Sequence, residues 1–282
     1  AGKATHPELL VPIVRGRIIV LVGDHKQLPP TISRDLDKAI KNQGLRREKL
    51  QTSLFQELME RAPIEASLPL TKQYRMHPSI GTMIGECFYD GKLDNGVSVA
   101  DRMHNLDWCS KAVVWYSTKK LPRHGESASG YSRMNQIEVD KILDLLGRIN
   151  DTYETLDMNN KTVGIITGYL AQKAALRQKI SSNRDRLPYL NEIEINTVDA
   201  YQGRERDLII YSVVRSNPAG NIGFLSDERR LNVALSRARD LLIIVGDETI
   251  EYASVSGKNP FYDVIQYIRK NPDECILEDI NL

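Results

Sequence analysis

Short apolar runs alternate with amphipathic stretches along this chain. Six runs rich in β-branched residues predict strands buried on both faces; they span 17–24, 111–117, 162–167, 193–198, 206–214 and 240–247. Six amphipathic stretches predict helices; they span 53–61, 78–89, 135–149, 169–180, 228–238 and 259–270. Strands that alternate with helices of this length predict a parallel α/β sheet flanked by helices.

A segment with two prolines, at 62–70, divides this pattern unevenly. One predicted strand precedes it and five follow it. Because one strand does not make a domain, we expect the first part of the chain to be the end of a larger domain. The charged, weakly periodic stretch 31–50 is predicted to be a connection. The chain also begins with Ala1 rather than Met, so we expect a fragment of a longer protein.

The composition narrows the class of protein. The 282 residues are 41% hydrophobic and 27% charged, which is ordinary for a soluble globular protein. The net charge of +1 excludes an overall basic chain, although a local stripe of Lys and Arg would still bind nucleic acid. The longest apolar runs are too short to cross a bilayer and no signal peptide opens the chain, so no membrane partner is expected.

The cysteines give no sign of a metal or disulfide framework. Cys87, Cys109 and Cys275 are odd in number, far apart in sequence and not part of a CxxC motif. This usage fits a reducing intracellular compartment. We expect a cytoplasmic protein, or a nuclear one if the source is eukaryotic.

The first two candidate motifs each follow a strand or precede a helix. In GDHKQLPP, the neutral Gln27 both donates and accepts hydrogen bonds, which suits sensing a phosphate or orienting a water; the alternative is a turn capped by Asp24. In LTKQYRMHPSIG, Tyr74 would stack on a base and Arg75 would bind a phosphate. The alternative is that Tyr74 belongs to the core and Arg75 to a surface ion pair.

Two further motifs lie in the second half of the chain. In INTVDAYQGRERD, Gln202 and Gly203 would let the backbone approach a ligand, and Glu205 would accept hydrogen bonds from a ribose; the alternative is a turn with solvated charges. In LNVALSRARD, Arg237 or Arg239 would reach a phosphate. The alternative is that both arginines lie at a helix end, where cations favour the dipole.

Taken together, these motifs resemble those of superfamily 1 helicases. GDxxQLxP, QYRMHP, TxxAxQGxE and LNVALSRAR followed by a strand occur here in the order and spacing of the RNA-surveillance and senataxin-like group, superfamily 1B, over residues 1–248. The resemblance implies RecA-like domains, each a three-layer sandwich with a parallel sheet, and ATP bound between them. Residues 1–69 would then be the end of the first RecA-like domain and residues 70–282 the second.

The resemblance also implies roles for single residues. Gln27 would couple the γ-phosphate to nucleic acid, Arg75 would reach that phosphate, and Arg237 would be the arginine finger, with Arg239 pairing on the domain surface. Tyr74 would lie near the adenine and Glu205 at the ribose, beside Gln202 and Gly203. The nucleic-acid backbone would contact Thr167 and Thr197, and Lys173 and Arg177 on the following helix are further candidates, although a solvated helix face is the alternative for these two.

The sequence departs from the family at its start. A phosphate-binding loop and a strand-end carboxylate for Mg²⁺ are missing, and AGKAT at 1–5 lacks the required Ser or Thr. We therefore expect binding of ATP with Mg²⁺ to need the preceding RecA-like domain, and this chain alone to be inactive. The leading hypothesis is the motor portion of a helicase that acts on single-stranded RNA or DNA. A non-catalytic nucleic-acid-binding or scaffold module and an unrelated α/β nucleotide-binding enzyme are the alternatives.

Overall fold

A computed structural model describes residues 1–30, 52–255 and 257–280, so the connection predicted at 31–50 lies outside the described residues. The chain divides between Leu70 and Thr71 into two compact units. The assignment of these units to two RecA-like domains stays a prediction.

The N-terminal unit contains the helices α1 (His6–Ile13) and α2 (Leu54–Arg61). A capping box formed by Thr5 and Glu8 begins α1, and the Ser53 hydroxyl begins α2 by accepting a hydrogen bond from the Gln56 N–H. The strand predicted at 17–24 is wrong. Within the described residues of this unit no strand is present, so this apolar run has no ladder in which to pair and its side chains stay largely exposed.

In its described residues, the C-terminal unit is built on a parallel sheet of six strands. A short parallel pair, β1 (Lys72–Gln73) and β2 (Asp94–Asn95), precedes it in the chain. The strands of the large sheet are β3 (Val113–Ser117), β6 (Val163–Thr167), β7 (Ile193–Thr197), β8 (Arg206–Ser212), β9 (Ala238–Gly246) and β10 (Cys275–Asp279). An antiparallel hairpin, β4 (Ser127–Ser129) and β5 (Ser132–Met134), lies between β3 and β6 in the chain. The order in the large sheet is β10-β3-β9-β8-β6-β7.

Helices cover both faces of this sheet. They are α3 (Pro78–Phe88), α4 (Gln136–Thr155), α5 (Leu170–Ser181), the short α6 (Val198–Tyr201), α7 (Glu228–Leu235) and α8 (Pro260–Lys270). The apolar sides of α4 and α5 pack on one face. On the other face α3, α7 and α8 contact one another and the strands, and the rings of Trp115 and Phe261 meet edge to face at 6.5 Å. The predicted α/β class, a parallel sheet flanked by helices, is confirmed.

Two details at the end of the chain differ from prediction. Strand β10 was not predicted, because its sequence CILED mixes apolar and acidic residues. Helix α7 ends at Leu235, three residues earlier than expected, so Arg237 lies in the turn that follows and Arg239 lies in β9. In the described part of the chain, no helix is both long and apolar enough to cross a bilayer.

Candidate nucleotide-facing site and nucleic-acid face

The loop that carries Tyr74 and Arg75 is braced by its neighbours. The Gln73 side-chain oxygen accepts hydrogen bonds from the N–H groups of Arg75 and Met76, at 2.8 and 2.7 Å. The guanidinium of Arg102 donates to the main-chain carbonyls of Arg75 and Tyr74, at 2.7 and 2.8 Å. The direction in which Arg75 leaves the backbone is therefore fixed before any ligand binds.

Arg75 joins three motifs that are far apart in sequence. Its Nε lies 2.5 Å from a carboxylate oxygen of Glu205, and its Nη1 donates to the Ser236 carbonyl at 3.2 Å. The side chains of Arg75 and Glu205 are 34% and 43% exposed. The ion-pair alternative for Arg75 thus describes its contact in this structure, and the pair stays accessible to a competing anion.

Arg237 lies directly after Ser236 and is buried. Its Nε donates to the Val233 carbonyl at 2.9 Å and its Nη2 donates to the Ser236 hydroxyl at 2.7 Å. Two guanidinium groups therefore contact the same residue, Ser236. We call Arg75, Glu205, Ser236 and Arg237 the arginine cluster.

The alternative interpretation placed Tyr74 in the core, but its side chain is 62% exposed. Tyr74 therefore does not belong to the core. Its ring lies against Gly96, where an added Cβ would stand 2.4 Å from a ring carbon. The ammonium of Lys72 lies 5.9 Å from the ring centroid. An exposed aromatic ring with a cation beside it suits stacking on a flat ligand.

The segment around Gln202 has two features of a ligand site. Gly203 has φ +86°, a left-handed conformation that favours glycine. The Gln202 side-chain oxygen is buried and has no hydrogen-bond partner among the described residues. The alternative interpretation held that the charges here are solvated, but two of them are paired: Arg204 contacts Glu194, and Arg206 contacts both Glu192 and Glu194.

Gln27 lies in the N-terminal unit, in a turn. The Lys26 N–H donates to the Asp24 carboxylate at 2.9 Å, and the Gln27 N–H donates to the Asp24 carbonyl at 3.4 Å. This is the turn capped by Asp24 that the alternative interpretation described. The coupling role of Gln27 stays a prediction.

The residues predicted to contact nucleic acid divide into two groups. Thr197 ends β7 and is partly exposed, the Lys173 ammonium donates to Asn196 Oδ1 at 2.6 Å, and Arg177 donates to the Ile195 carbonyl at 3.1 Å. Thr167 is completely buried, because β6 lies between β7 and β8 and its hydroxyl faces the Tyr169 N–H. The predicted contact of Thr167 with the nucleic-acid backbone stays a prediction.

Arg239 behaves as the resemblance implied. Its guanidinium lies 3.7 Å from the Asp207 carboxylate, and its side chain is 38% exposed. The predicted pairing on the domain surface is confirmed, and it separates Arg239 from the buried Arg237.

A buried polar network, which sequence reasoning did not find, lies at the carboxyl ends of the central strands. It consists of Asn135, Glu138, Gln172 and Ser212, all fully buried. The Glu138 carboxylate accepts from the Ser212 hydroxyl at 2.6 Å and from the Val214 N–H at 2.8 and 2.9 Å. The Gln172 amide nitrogen donates to the Ser212 hydroxyl at 2.9 Å, and its oxygen accepts from the Asn135 N–H at 2.8 Å.

This network supports an unusual backbone conformation. Val214 has φ +72°, which is costly for a β-branched residue, and its N–H is held by both oxygens of Glu138. Burial raises the pKa of Glu138 to about 8. The sequence did contain one signal: Glu138 shares the apolar stripe of α4 with Ile142 and Leu145, where an acid is out of place.

Comparison with known protein families identifies the chain. A model described as an AAA domain matches residues 50–249, and a second AAA-domain model matches residues 1–35. This chain belongs to the AAA-domain family of superfamily 1 helicases. The family match therefore includes all motifs of the arginine cluster.

Curated relatives of this helicase chain are much longer than the chain itself. The "Regulator of nonsense transcripts 1 homolog" of Drosophila melanogaster is 37% identical over 88% of this chain and 20% of its own length. The "ATP-dependent helicase NAM7" of Saccharomyces cerevisiae is 36% identical over 87% and 24%. The "DNA polymerase alpha-associated DNA helicase A" of the same yeast is 31% identical over 96% and 40%. The chain thus spans about a fifth to two fifths of these relatives.

Proposed function

We propose that this chain is the C-terminal motor portion of an ATP-dependent helicase that acts on single-stranded RNA or DNA in the cytoplasm or nucleus. The observation that carries the proposal is the arginine cluster. Arg75 reaches residues 130 and 161 positions away in sequence, so three helicase motifs meet at one point. A chain under no demand to bind an anion gains little stability from such partly exposed charge pairs.

The cluster supplies the charge that phosphoryl transfer needs. The reaction depends mainly on positioning and on positive charge near the transferred phosphoryl group. In our proposal Arg75 exchanges the Glu205 carboxylate for the γ-phosphate, which leaves Glu205 to accept hydrogen bonds from the ribose. Arg237 is the arginine finger.

The remaining residues of the site fit the rest of ATP. The exposed Tyr74 ring offers a surface for the adenine, and the buried Gln202 oxygen is an acceptor that still lacks a donor among the described residues. Mg²⁺ and the phosphate-binding loop would come from the first RecA-like domain, to which Gln27 would relay the state of the γ-phosphate. ATP would supply the free energy for movement along the strand.

The nucleic-acid grip is proposed at the carboxyl end of β7. Thr197 ends this strand, and Lys173 lies beside its neighbour Asn196. A hydroxyl and an ammonium at a sheet end suit contacts with phosphate and sugar, which position a strand without reading its bases.

ATP hydrolysis by the longer helicase that contains this chain tests the proposal. Activity is measured with and without single-stranded RNA or DNA, in the wild type and in Arg237→Ala. An arginine finger predicts a loss of about a thousandfold or more in turnover. The matched control is Arg239→Ala, two residues away but paired on the surface, which should keep near-normal turnover. Absence of hydrolysis with either strand, or an unaffected Arg237→Ala, would favour the non-catalytic scaffold.

A further inference from the structure

A second basic region lies at the edge of the sheet, away from the arginine cluster. Between α5, strand β7 and the start of β8 there is a groove of about 720 Å³. Four arginines and two glutamates line it: Arg177, Arg184, Arg204, Arg206, Glu192 and Glu194. We call this the β7 groove. None of these residues has a role in the proposed ATP site.

Some charged side chains of the β7 groove have an ion-pair partner and others have none among the described residues. Glu192 and Glu194 are already paired with Arg204 and Arg206. Arg177 and Arg184 are exposed and form no ion pair with the described residues, and they donate instead to the neutral carbonyls of Ile195 and Asn191, at 3.1 and 2.9 Å. An anion that enters the groove would therefore meet two cations that have no carboxylate to give up.

The end of the groove at Asn196, which we call its upper end, shows the same excess of positive charge. Lys173 lies there, bound to Asn196, and burial together with the nearby Arg177 cation lowers the pKa of the Lys173 ammonium. Two cations that disfavour one another are both relieved by a shared anion.

The geometry argues against an added peptide strand as the occupant. In the described sheet β7 is an edge strand, paired only with β6. The Ile195 carbonyl of this strand already accepts from Arg177, and the Asn191 carbonyl just before the strand accepts from Arg184. Charged side chains that cross an edge in this way oppose strand addition.

Continuity with the proposed grip favours nucleic acid. Asn196, at the upper end of the groove, directly precedes Thr197. From there the groove follows the five residues of β7 towards Asn191, a distance of about 16 Å. A phosphate backbone that leaves Thr197 would therefore pass Lys173, then Arg177, then Arg184.

We infer that the β7 groove carries the phosphate backbone of the single strand beyond the grip at Thr197, so that the strand leaves the motor along the sheet edge. This inference rests on the proposed function. It adds a contact site that contributes affinity only to strands long enough to reach it.

Binding of short and long strands separates this inference from the proposed function. Labelled oligonucleotides of about 8 and about 16 nucleotides are titrated into the full-length helicase at several salt concentrations. The test variant is Arg177→Gln/Arg184→Gln. The matched control is Lys179→Gln, on the same helix but paired with Asp140 at 2.9 Å.

We expect the double variant to bind the short strand like the wild type. Its affinity for the long strand should fall about tenfold, and the salt dependence of long-strand binding should decrease by about 1.4 in log–log slope, the value for two lost phosphate contacts. The control should change neither.

Three results would overturn the inference. An unchanged advantage of the long strand would exclude the groove from the nucleic-acid path. An equal loss for both lengths would place Arg177 and Arg184 in the grip itself. A variant that keeps the long-strand advantage but loses binding of a poly-glutamate peptide would assign the groove to an acidic protein segment. Failure of the wild type to bind even the short strand would instead reject the proposed function, and this inference with it.

Discussion

The arginine cluster and the buried polar network lie in the same unit but differ in whether a ligand can reach their charged groups. Both join residues that are distant in sequence, and both use charge. In the cluster, Arg75 and Glu205 are partly exposed and satisfy one another, so a ligand can replace either partner. In the network, Glu138 and Ser212 are completely enclosed, and every exchange would leave a buried group unsatisfied. We therefore expect the cluster to control turnover and the network to control stability.

Among the variants that compare these two regions, Arg75→Ala gives the largest expected effect and tests the first half of the comparison. Loss of one electrostatic stabiliser of the reacting phosphate should lower ATP turnover of the longer helicase about 10²- to 10³-fold. The free energy of unfolding should change by less than about 1 kcal/mol, because exposed ion pairs contribute little to stability. Steady-state ATP hydrolysis and urea unfolding measure the two quantities.

Arg239→Ala is the control for Arg75→Ala. Its side chain is about as exposed as that of Arg75 and is also paired with a carboxylate, that of Asp207, but it lies outside the cluster. Both quantities should stay near the wild-type values. Equal losses of turnover in the two variants would show that Arg75 has no specific role in ATP hydrolysis, and the assignment of the cluster to the ATP site would be wrong.

The same contrast shows why sequence reasoning found one region and not the other. Tyr74, Arg75 and Glu205 stand in motifs whose residue types already suggest anion and base binding. Glu138 lies in the apolar stripe of α4, but it is also the third residue of this helix, a position where an acid favours the helix dipole, so the stripe alone does not distinguish a buried acid from an ordinary first-turn acid.

The pattern of apolar residues also does not show which strand a predicted strand pairs with, or whether it has a partner at all. The strand predicted at 17–24 has the same apolar signature as β9, but strand formation requires a neighbouring strand as well as periodicity. The five strands predicted in the C-terminal unit form because each has such a neighbour. The contact between Arg75 and Glu205 depends on this strand order, which spacing alone does not specify.

Glu138→Ala tests the second half of the comparison. It removes the acceptor of the Ser212 hydroxyl and of the Val214 N–H inside the protein, which should cost about 3 kcal/mol in the free energy of unfolding. Urea unfolding followed by tryptophan fluorescence reports on the correct unit, because Trp108 and Trp115 both lie there.

Glu154→Ala, an exposed position on the same helix, is the control for Glu138→Ala and should cost less than about 0.5 kcal/mol. A small change in the free energy of unfolding for Glu138→Ala, combined with a loss of ATP turnover, would show that the network acts in catalysis rather than in stability. The contrast between the two regions would then not hold.

The pH dependence of stability sharpens the assignment of the network. Burial raises the pKa of Glu138 to about 8, against 4.5 for an ordinary glutamate. Between these values the folded protein binds a proton that the unfolded chain releases. The contribution is complete below the unfolded pKa and is lost as the pH rises through about 8, with a slope of at most about 1.4 kcal/mol per pH unit.

Glu138→Gln should abolish this part of the slope, since the amide cannot titrate. Urea unfolding of the wild type and of Glu138→Gln at about pH 6 and about pH 8 makes the comparison. Slopes that are identical in the two proteins would mean that Glu138 stays ionised in the folded state.

Arg102→Gln gives the smallest expected effect and probes the border of the arginine cluster. Arg102 holds the carbonyls of Tyr74 and Arg75, so its loss should misplace the Arg75 side chain and lower turnover about tenfold. Arg102→Lys, which can still donate to a carbonyl, should recover part of the activity, and the exposed Lys92→Gln should have no effect. A loss as large as that of Arg75→Ala would mean that Arg102 itself contacts the nucleotide. Unchanged turnover would mean that the hydrogen bonds from Gln73 hold the loop without help, and that preorganisation of the cluster begins one residue before Tyr74.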